Sequence, residues 1–406
     1  MSEISATSNE PSYVKRVGVF LGLIGLESFF ANFAHPITPS LIIGLNLPAS
    51  TFGFAFASMA LLNFLFSPLW GRLSDRVGRL NLYLFSLFGY ALGQILLMLA
   101  RSQVGIYIAR GTAGFFIGGV IVLQLAYLID ITPTEHRAKV MGFQTALFSI
   151  TGALGFLAGG VIGEFSIQAV FITQAVGLIS TGILTRLVLR DVAGFDAQVH
   201  WREVAQEANP FKAFRASVKV LNVRLALFFV MVFFGVFGFI AFDQSFNYYV
   251  RDQLGLGPSY NGLFKAGFGI LGLALNSTVS IYLIRFTRLR KTLMALLALS
   301  AASAWAMILP VSALGLLGLS VAFFAFYSMV QVLTQALASK EVPKEAIGSF
   351  MGFFSSIRSL GMIFGSSLSG LVYAIHPLMA FGMTGLVMSL GLGAYALSLL
   401  QPSEQG

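Results

Sequence analysis

The chain of 406 residues is 57% hydrophobic, carries charge on only 10% of its positions and has a mean hydropathy of +0.84. Soluble domains place charge on about a quarter of their residues, so a chain this apolar cannot hide its surface from water and takes lipid as its solvent. The excess of 25 Lys and Arg over 16 Asp and Glu falls in short links between apolar runs, which argues against a nucleic-acid partner, and the absence of cysteine excludes disulfides, Fe–S clusters and thiolate metal sites.

Residues Met1 to Tyr13 are polar and read as a disordered leader. The apolar run behind them contains Glu27 and lacks a small-residue cleavage site, so it reads as a retained helix and not a signal peptide. A helix needs about 20 apolar residues to cross a hydrocarbon core of roughly 30 Å. Twelve runs of that kind are expected near 17–41, 50–70, 80–100, 104–128, 139–163, 167–189, 225–250, 260–284, 292–310, 313–337, 347–373 and 378–400. Links are short except the one from Arg190 to Arg224, where His200-Trp201-Arg202 and Phe211 to Arg215 fit a short surface helix.

Basic residues set the expected orientation. Twenty Lys and Arg, from Lys15 through Arg72, Arg76 and Arg79 to Lys344, fall on one side, and only Arg101 and Arg251 fall on the other. The positive-inside bias then puts both termini and the middle loop in the cytoplasm. The chain also repeats itself. Pro133 to Gly160 matches Pro343 to Gly370 at one offset, pairing Met141-Gly142-Phe143 with Met351-Gly352-Phe353 and Gly155 with Gly365. The expected fold is an all-α membrane protein of twelve transmembrane helices in two pseudo-symmetric six-helix bundles, residues 1–189 and 225–406, joined by a cytoplasmic loop, 190–224.

The link after the second run, Gly71-Arg72-Leu73-Ser74-Asp75-Arg76-Val77-Gly78-Arg79, carries full charge on four of its nine residues. Its glycines allow a turn and a close approach, while Asp75 and Arg76 suit a helix N-terminus and a carboxylate as partners. It fits G-x-x-x-D-R-x-G-R at every fixed position, and with twelve spans and a halfway repeat the chain resembles the major facilitator superfamily, in particular its twelve-helix drug–proton antiporters. The resemblance implies a latch formed by Gly71, Asp75, Arg76, Gly78 and Arg79, with Asp75 facing the start of the eleventh helix near Ala346 and Arg76 facing Asp130. It also implies proton coupling at Arg110, the Arg of an R-x-x-x-G pattern ending at Gly114. The antiporter pattern G-P-x-x-G-G is altered: Gly155 to Gly160 has Phe156 in the place of Pro.

Charges inside the apolar runs are the candidate working groups. Glu27 lies ten residues into its run, roughly 15 Å deep at 1.5 Å per residue, where an ionised carboxylate is costly and exchange of a proton is a natural role. The stretch from Glu27 to Pro39 resembles the first helix of drug antiporters with an essential Glu. His35 lies within about 80° of Glu27 on a helical wheel. Asp243 resembles an acid of Gram-positive relatives used for substrate or protons, with a static pair to Lys265 as the rival reading. Arg358 could neutralise Glu27 or bind an anionic substrate group. Phe residues crowd the seventh and tenth runs, and a minority facing a cavity would suit planar, greasy compounds.

No nucleotide-binding loop, no H-E-x-x-H and no G-x-S-x-G occurs, so a pump, metalloprotease or serine hydrolase is not expected. The leading expectation is a monomeric secondary transporter of a bacterial inner membrane. By alternating access it would drive proton-coupled efflux of lipophilic, cationic compounds, with no cofactor, metal or nucleic acid. The alternatives are export or flipping of an amphiphile with a sugar or anionic headgroup, through Arg110, Lys265 and Arg358, and a sensor that transports nothing.

Overall fold

A computed structural model describes residues 10–191, 222–338 and 347–401, and every regular element in them is helical. The first part of the chain forms α1 (Glu10–Ala31), α2 (Thr38–Gly44), α3 (Ser50–Val77), α4 (Arg79–Leu99) and α5 (Gln103–Asp130). A 3₁₀ turn (Thr134–His136), α6 (Arg137–Phe165) and α7 (Ile167–Val188) complete it. The second part forms α8 (Val223–Asp252), α9 (Pro258–Ser277), α10 (Val279–Phe286), α11 (Leu289–Ala306), α12 (Ala313–Ala338), α13 (Ile347–Ile375) and α14 (Pro377–Leu400). Nine segments among the described residues are long and apolar enough to cross a membrane, and α1, α11 and α13 occupy the other expected positions. The expected surface helix of the middle loop lies outside the described residues.

Several boundaries differ from expectation for local reasons. Helix α1 begins at Glu10, so the end of the polar leader is helical. Helix α3 continues to Val77, which makes Gly71 to Val77 its last two turns and not a loop. The reversal falls on Gly78 alone, at φ 103° and ψ 149°, a conformation that a residue with a Cβ strongly resists.

Two expected spans are broken. The first turns through residues 32–37 between α1 and α2, because Pro36 cannot donate to a helix and pushes His35 out of the helical region. His35 therefore sits on this elbow and shares no helical face with Glu27, which corrects the wheel argument. Glu27 is central in the 10–44 stretch. The eighth span breaks at Thr278, where the Thr278 hydroxyl donates to the Ala274 carbonyl (2.6 Å) and Ser277 to the Leu273 carbonyl (2.7 Å). Such side chains compete for the backbone and bend helices.

Residues 10–191 pack mostly among themselves, as do residues 222–401. The two halves of the chain meet along two seams, α6 against α9 and α3 against α13. Both seams are backbone-tight. A Cβ on Gly262 would stand 2.4 Å from the Phe156 carbonyl oxygen, and one on Gly53 would stand 2.2 Å from that of Ser366. The sequence repeat explains the pairing: Gly160 of α6 touches α9, and its repeat partner Gly370 of α13 touches α3. Gly155 likewise meets the Phe29 carbonyl of α1, and Gly365 meets that of Phe237 in α8. The altered glycine pattern still builds a helix crossing, since its glycines and the Phe156 carbonyl, not a proline ring, form the contact. Both seams lie away from the end that carries Arg72, Arg76 and Arg79, hereafter the basic end; the other is the far end.

Replacing Gly262 by Ala should wedge the far end open. The chain has no cysteine, so Ser366→Cys, at a fully buried position of α13 facing Gly53 across the seam, gives a unique label site. Overpacking costs roughly 1–3 kcal/mol; labelling of that cysteine by an impermeant maleimide should rise by at least about fivefold in the Gly262→Ala background.

Candidate functional site

Glu27 projects from α1 into the first half of the chain and is only 3% exposed. Its Oε2 accepts a hydrogen bond from Gln124 Nε2 of α5 at 2.8 Å, and the same amide donates to the Tyr83 hydroxyl of α4 at 3.1 Å. Among the described residues no cation stands against this carboxylate. Arg358 does not reach it, so the expected neutralisation by that residue is not what the structure shows. Gln124 and Tyr83 were not expected from sequence, although a glutamine inside an apolar run is itself a signal, because an amide in lipid needs partners.

One turn beyond Glu27, α1 stops and its last carbonyls need donors. The Ala31 carbonyl accepts from the Tyr90 hydroxyl (3.2 Å) and from Gln174 Nε2 (2.9 Å). The elbow that follows is held from both halves. Arg110 Nη2 of α5 donates to the Thr38 hydroxyl at 2.6 Å, and Thr38 donates on to the Ala34 carbonyl at 2.7 Å. From the second half, Asn247 Nδ2 donates to the His35 carbonyl (3.1 Å) and Asn261 Nδ2 to the Pro36 carbonyl (3.4 Å). The His35 ring itself packs edge-on against Phe156, with 5.6 Å between centroids. Arg110 thus braces the elbow and meets no carboxylate among the described residues.

One turn from Asn247 and Asn261 lie Asp243 of α8 and Lys265 of α9, in a close ion pair. Gln244 Nε2 adds a hydrogen bond to the Asp243 carboxylate at 3.1 Å. Of the two readings of Asp243, the paired one is the geometry observed.

Between the halves lies a cavity of about 590 Å³, with walls from α6, α8, α9, α12 and α13. It faces the basic end, where Thr145, Gln335 and Ser355 are exposed, and the two glycine seams lie beyond its floor. Phe239, Phe268, Phe324 and Phe354 line it, and the rings of Phe268 and Phe324 stack at 4.6 Å and 10°. Of the Phe residues that crowd α8 and α12, only Phe239 and Phe324 reach this cavity. Arg358 is in its wall, and neither Glu27 nor Asp243 is. Among the described residues no cluster of His, Asp and Glu could hold a metal.

At the basic end, Arg79 is the hub of the charged stretch. Its Nη1 meets Asp75 Oδ1 at 2.7 Å and also bonds the Ser74 hydroxyl, and its Nε donates to Asp130 Oδ2 at 3.1 Å. Asp130, expected opposite Arg76, accepts a bond from Arg79. Asp191, which the sequence did not single out, accepts from the backbone N–H groups of Arg79 and Leu80, both at 3.1 Å. It thereby satisfies the start of α4, where negative charge is favoured. The expected partner of Asp75 near Ala346 lies outside the described residues. Gly71 is mid-helix, and a Cβ there would meet only Val122 at an ordinary 3.6 Å, so neither a turn nor a close approach needs a glycine at this position.

The sequence profile of the Major Facilitator Superfamily matches residues 20–366. The chain is 27% identical to multidrug resistance protein 2 of Bacillus subtilis over 383 residues, covering 92% of each. It is 25% identical to the quinolone resistance protein NorA of Staphylococcus aureus over 378 residues, 91% of each. In structure it resembles a bacterial homolog of the human lysosomal transporter Spinster, with a TM-score of 0.78 at 14% identity over 95% of this chain and 97% of the other. A D-xylose–proton symporter follows with a TM-score of 0.72 at 17% identity, covering 97% and 99%.

The two glycines of the charged stretch should separate on substitution. Gly78→Ala forces a Cβ into a conformation that costs about 1–3 kcal/mol and should lower the unfolding temperature in detergent. Gly71→Ala should leave that temperature close to the wild-type value.

Proposed function

We propose, from the premise that this chain belongs to the Major Facilitator Superfamily, that it exports lipophilic aromatic compounds in exchange for protons. Membership makes it a multi-pass membrane transport protein and not an enzyme. The efflux reading is supported by the multidrug and quinolone resistance proteins that match along nearly the whole chain. Those relatives and the lopsided distribution of basic residues support a bacterial inner membrane with both termini in the cytoplasm. In that orientation the basic end is cytoplasmic, and the cavity is loaded from inside.

Glu27 carries the proton half of the proposal. A carboxylate held by one amide, with no cation against it, can lose or gain a proton without breaking an ion pair. Glu27 is shut away from the cavity in this conformer, so a substrate cannot displace its proton by touching it. Coupling therefore runs through shape. Glu27 is one turn from the elbow, and the elbow is bonded to α8 and α9 of the other half by Asn247 and Asn261. When the far-end seams part, those bonds must break and the surroundings of Glu27 change with them. Substrate leaves on the outer side, a proton from that side binds Glu27, and closure of the seams returns the site to the cytoplasm, where Glu27 releases the proton before the next substrate is carried out. The four phenylalanines on the cavity wall give the substrate its aromatic surface.

Glu27→Gln keeps the hydrogen-bonding shape and removes the exchangeable proton. In proteoliposomes it should reduce export driven by a pH gradient to the background rate, while substrate binding in detergent stays within about twofold of wild type, as expected of a site whose cavity wall is untouched. Undiminished export would remove Glu27 from the mechanism.

A further inference from the structure

We infer that Arg358 is the anion-binding group of the inter-half cavity, and that the preferred substrates carry a carboxylate or similar anionic group on a planar aromatic body. The inference rests on the efflux reading above and names the substrate class that such a site would take.

The charge inventory of the cavity carries it. Arg358 is the only ionisable residue on the described cavity wall; the other lining residues are apolar or neutral polar groups such as Asn276, Gln331 and Gln335. Among the described residues the guanidinium makes no ion pair and no hydrogen bond; the Phe354 ring lies beneath it, 5.8 Å from the centroid, and the buried Tyr327 hydroxyl is within its electrostatic reach. Arg358 is half-buried within its span, where a cation is ordinarily closed by a carboxylate. The acids inside the spans are committed elsewhere: Asp243 is paired with Lys265, and Glu27 is bonded to Gln124 within the first half. Arg358 has been left facing open volume.

That arrangement discriminates by charge. An ammonium group in this space would meet a like charge and no acid, which runs against the cationic substrate expected from sequence. A carboxylate would meet a planar fork of donors suited to bidentate pairing. The aromatic wall is next to it: Phe354 is one turn from Arg358 on α13, and the stacked pair Phe268 and Phe324 lines the same space. A volume of about 590 Å³ accommodates a drug-sized molecule.

The test is binding to the full chain in lipid nanodiscs, with no pH gradient, corrected against empty discs. Three probes are compared by titration: 2-naphthoate, its neutral methyl ester, and ethidium as an aromatic cation. Wild type should bind 2-naphthoate roughly tenfold more tightly than the ester, as a charge-assisted bidentate contact allows. Arg358→Gln should reduce the acid to the affinity of the ester and leave the ester unchanged, which also shows that the variant is folded. Arg358→Lys should keep part of the preference. If wild type binds the ester or ethidium at least as well as the acid, or if Arg358→Gln retains the preference for the acid, the anion site is overturned while the efflux reading stands. If none of the three binds, both fall.

Discussion

A formal charge inside a protein that lipid surrounds has to be closed by an opposite charge, relieved by a proton, or held open for a ligand. The charged residues inside these spans are arranged by that constraint. Asp243 and Lys265 close each other. Arg110 is held by the Thr38 hydroxyl at the bend of the first span. Glu27 meets an amide, which suits either protonation state. Arg358 faces the cavity with the Phe354 ring beneath it. In the proposed cycle the first two are scaffold, and the last two act, one on protons and one on substrate.

The elbow between α1 and α2 ties these roles together. It exists because Pro36 denies the helix a donor, and the carbonyls it frees are taken up by Tyr90, Gln174, Asn247 and Asn261. Two of those donors belong to the first half of the chain and two to the second. A motion of one half against the other must therefore be felt at the end of α1, a turn from Glu27. The glycine seams supply the complementary property: they bring backbones together closely enough to seal the far end, and they let Phe52 of the first half pack against Tyr248 and Tyr373 of the second.

Much of this was legible in the sequence, and what was not has identifiable causes. Span positions and the halfway repeat follow from hydropathy and spacing, and the repeat also accounts for Gly160 and Gly370 making equivalent contacts. The proximity of Asp243 and Lys265 follows from depth alone. His35 was misplaced because a wheel assumes an unbroken helix, and Pro36 breaks it. Arg79 reaches Asp130 because α3 stays helical to Val77 and the whole reversal falls on Gly78, which directs the next side chain towards the end of α5; linear spacing carries no such twist. Gln331, Gln335 and Asn276 reach the cavity through the rotation of α12 and α9 about their own axes, a tertiary property that a run of apolar residues does not encode. Asp191 was overlooked because its role, capping α4, needs a partner more than a hundred residues away.

The central claim is that Glu27 exchanges a proton although it is enclosed. Infrared difference spectroscopy on the purified chain, recorded between acid and alkaline pH, reports it directly through the C=O stretch of a protonated carboxyl. The account predicts a carboxyl band that changes with pH in the wild type and is missing from the Glu27→Gln spectrum. Identical carboxyl regions in the two proteins would contradict it.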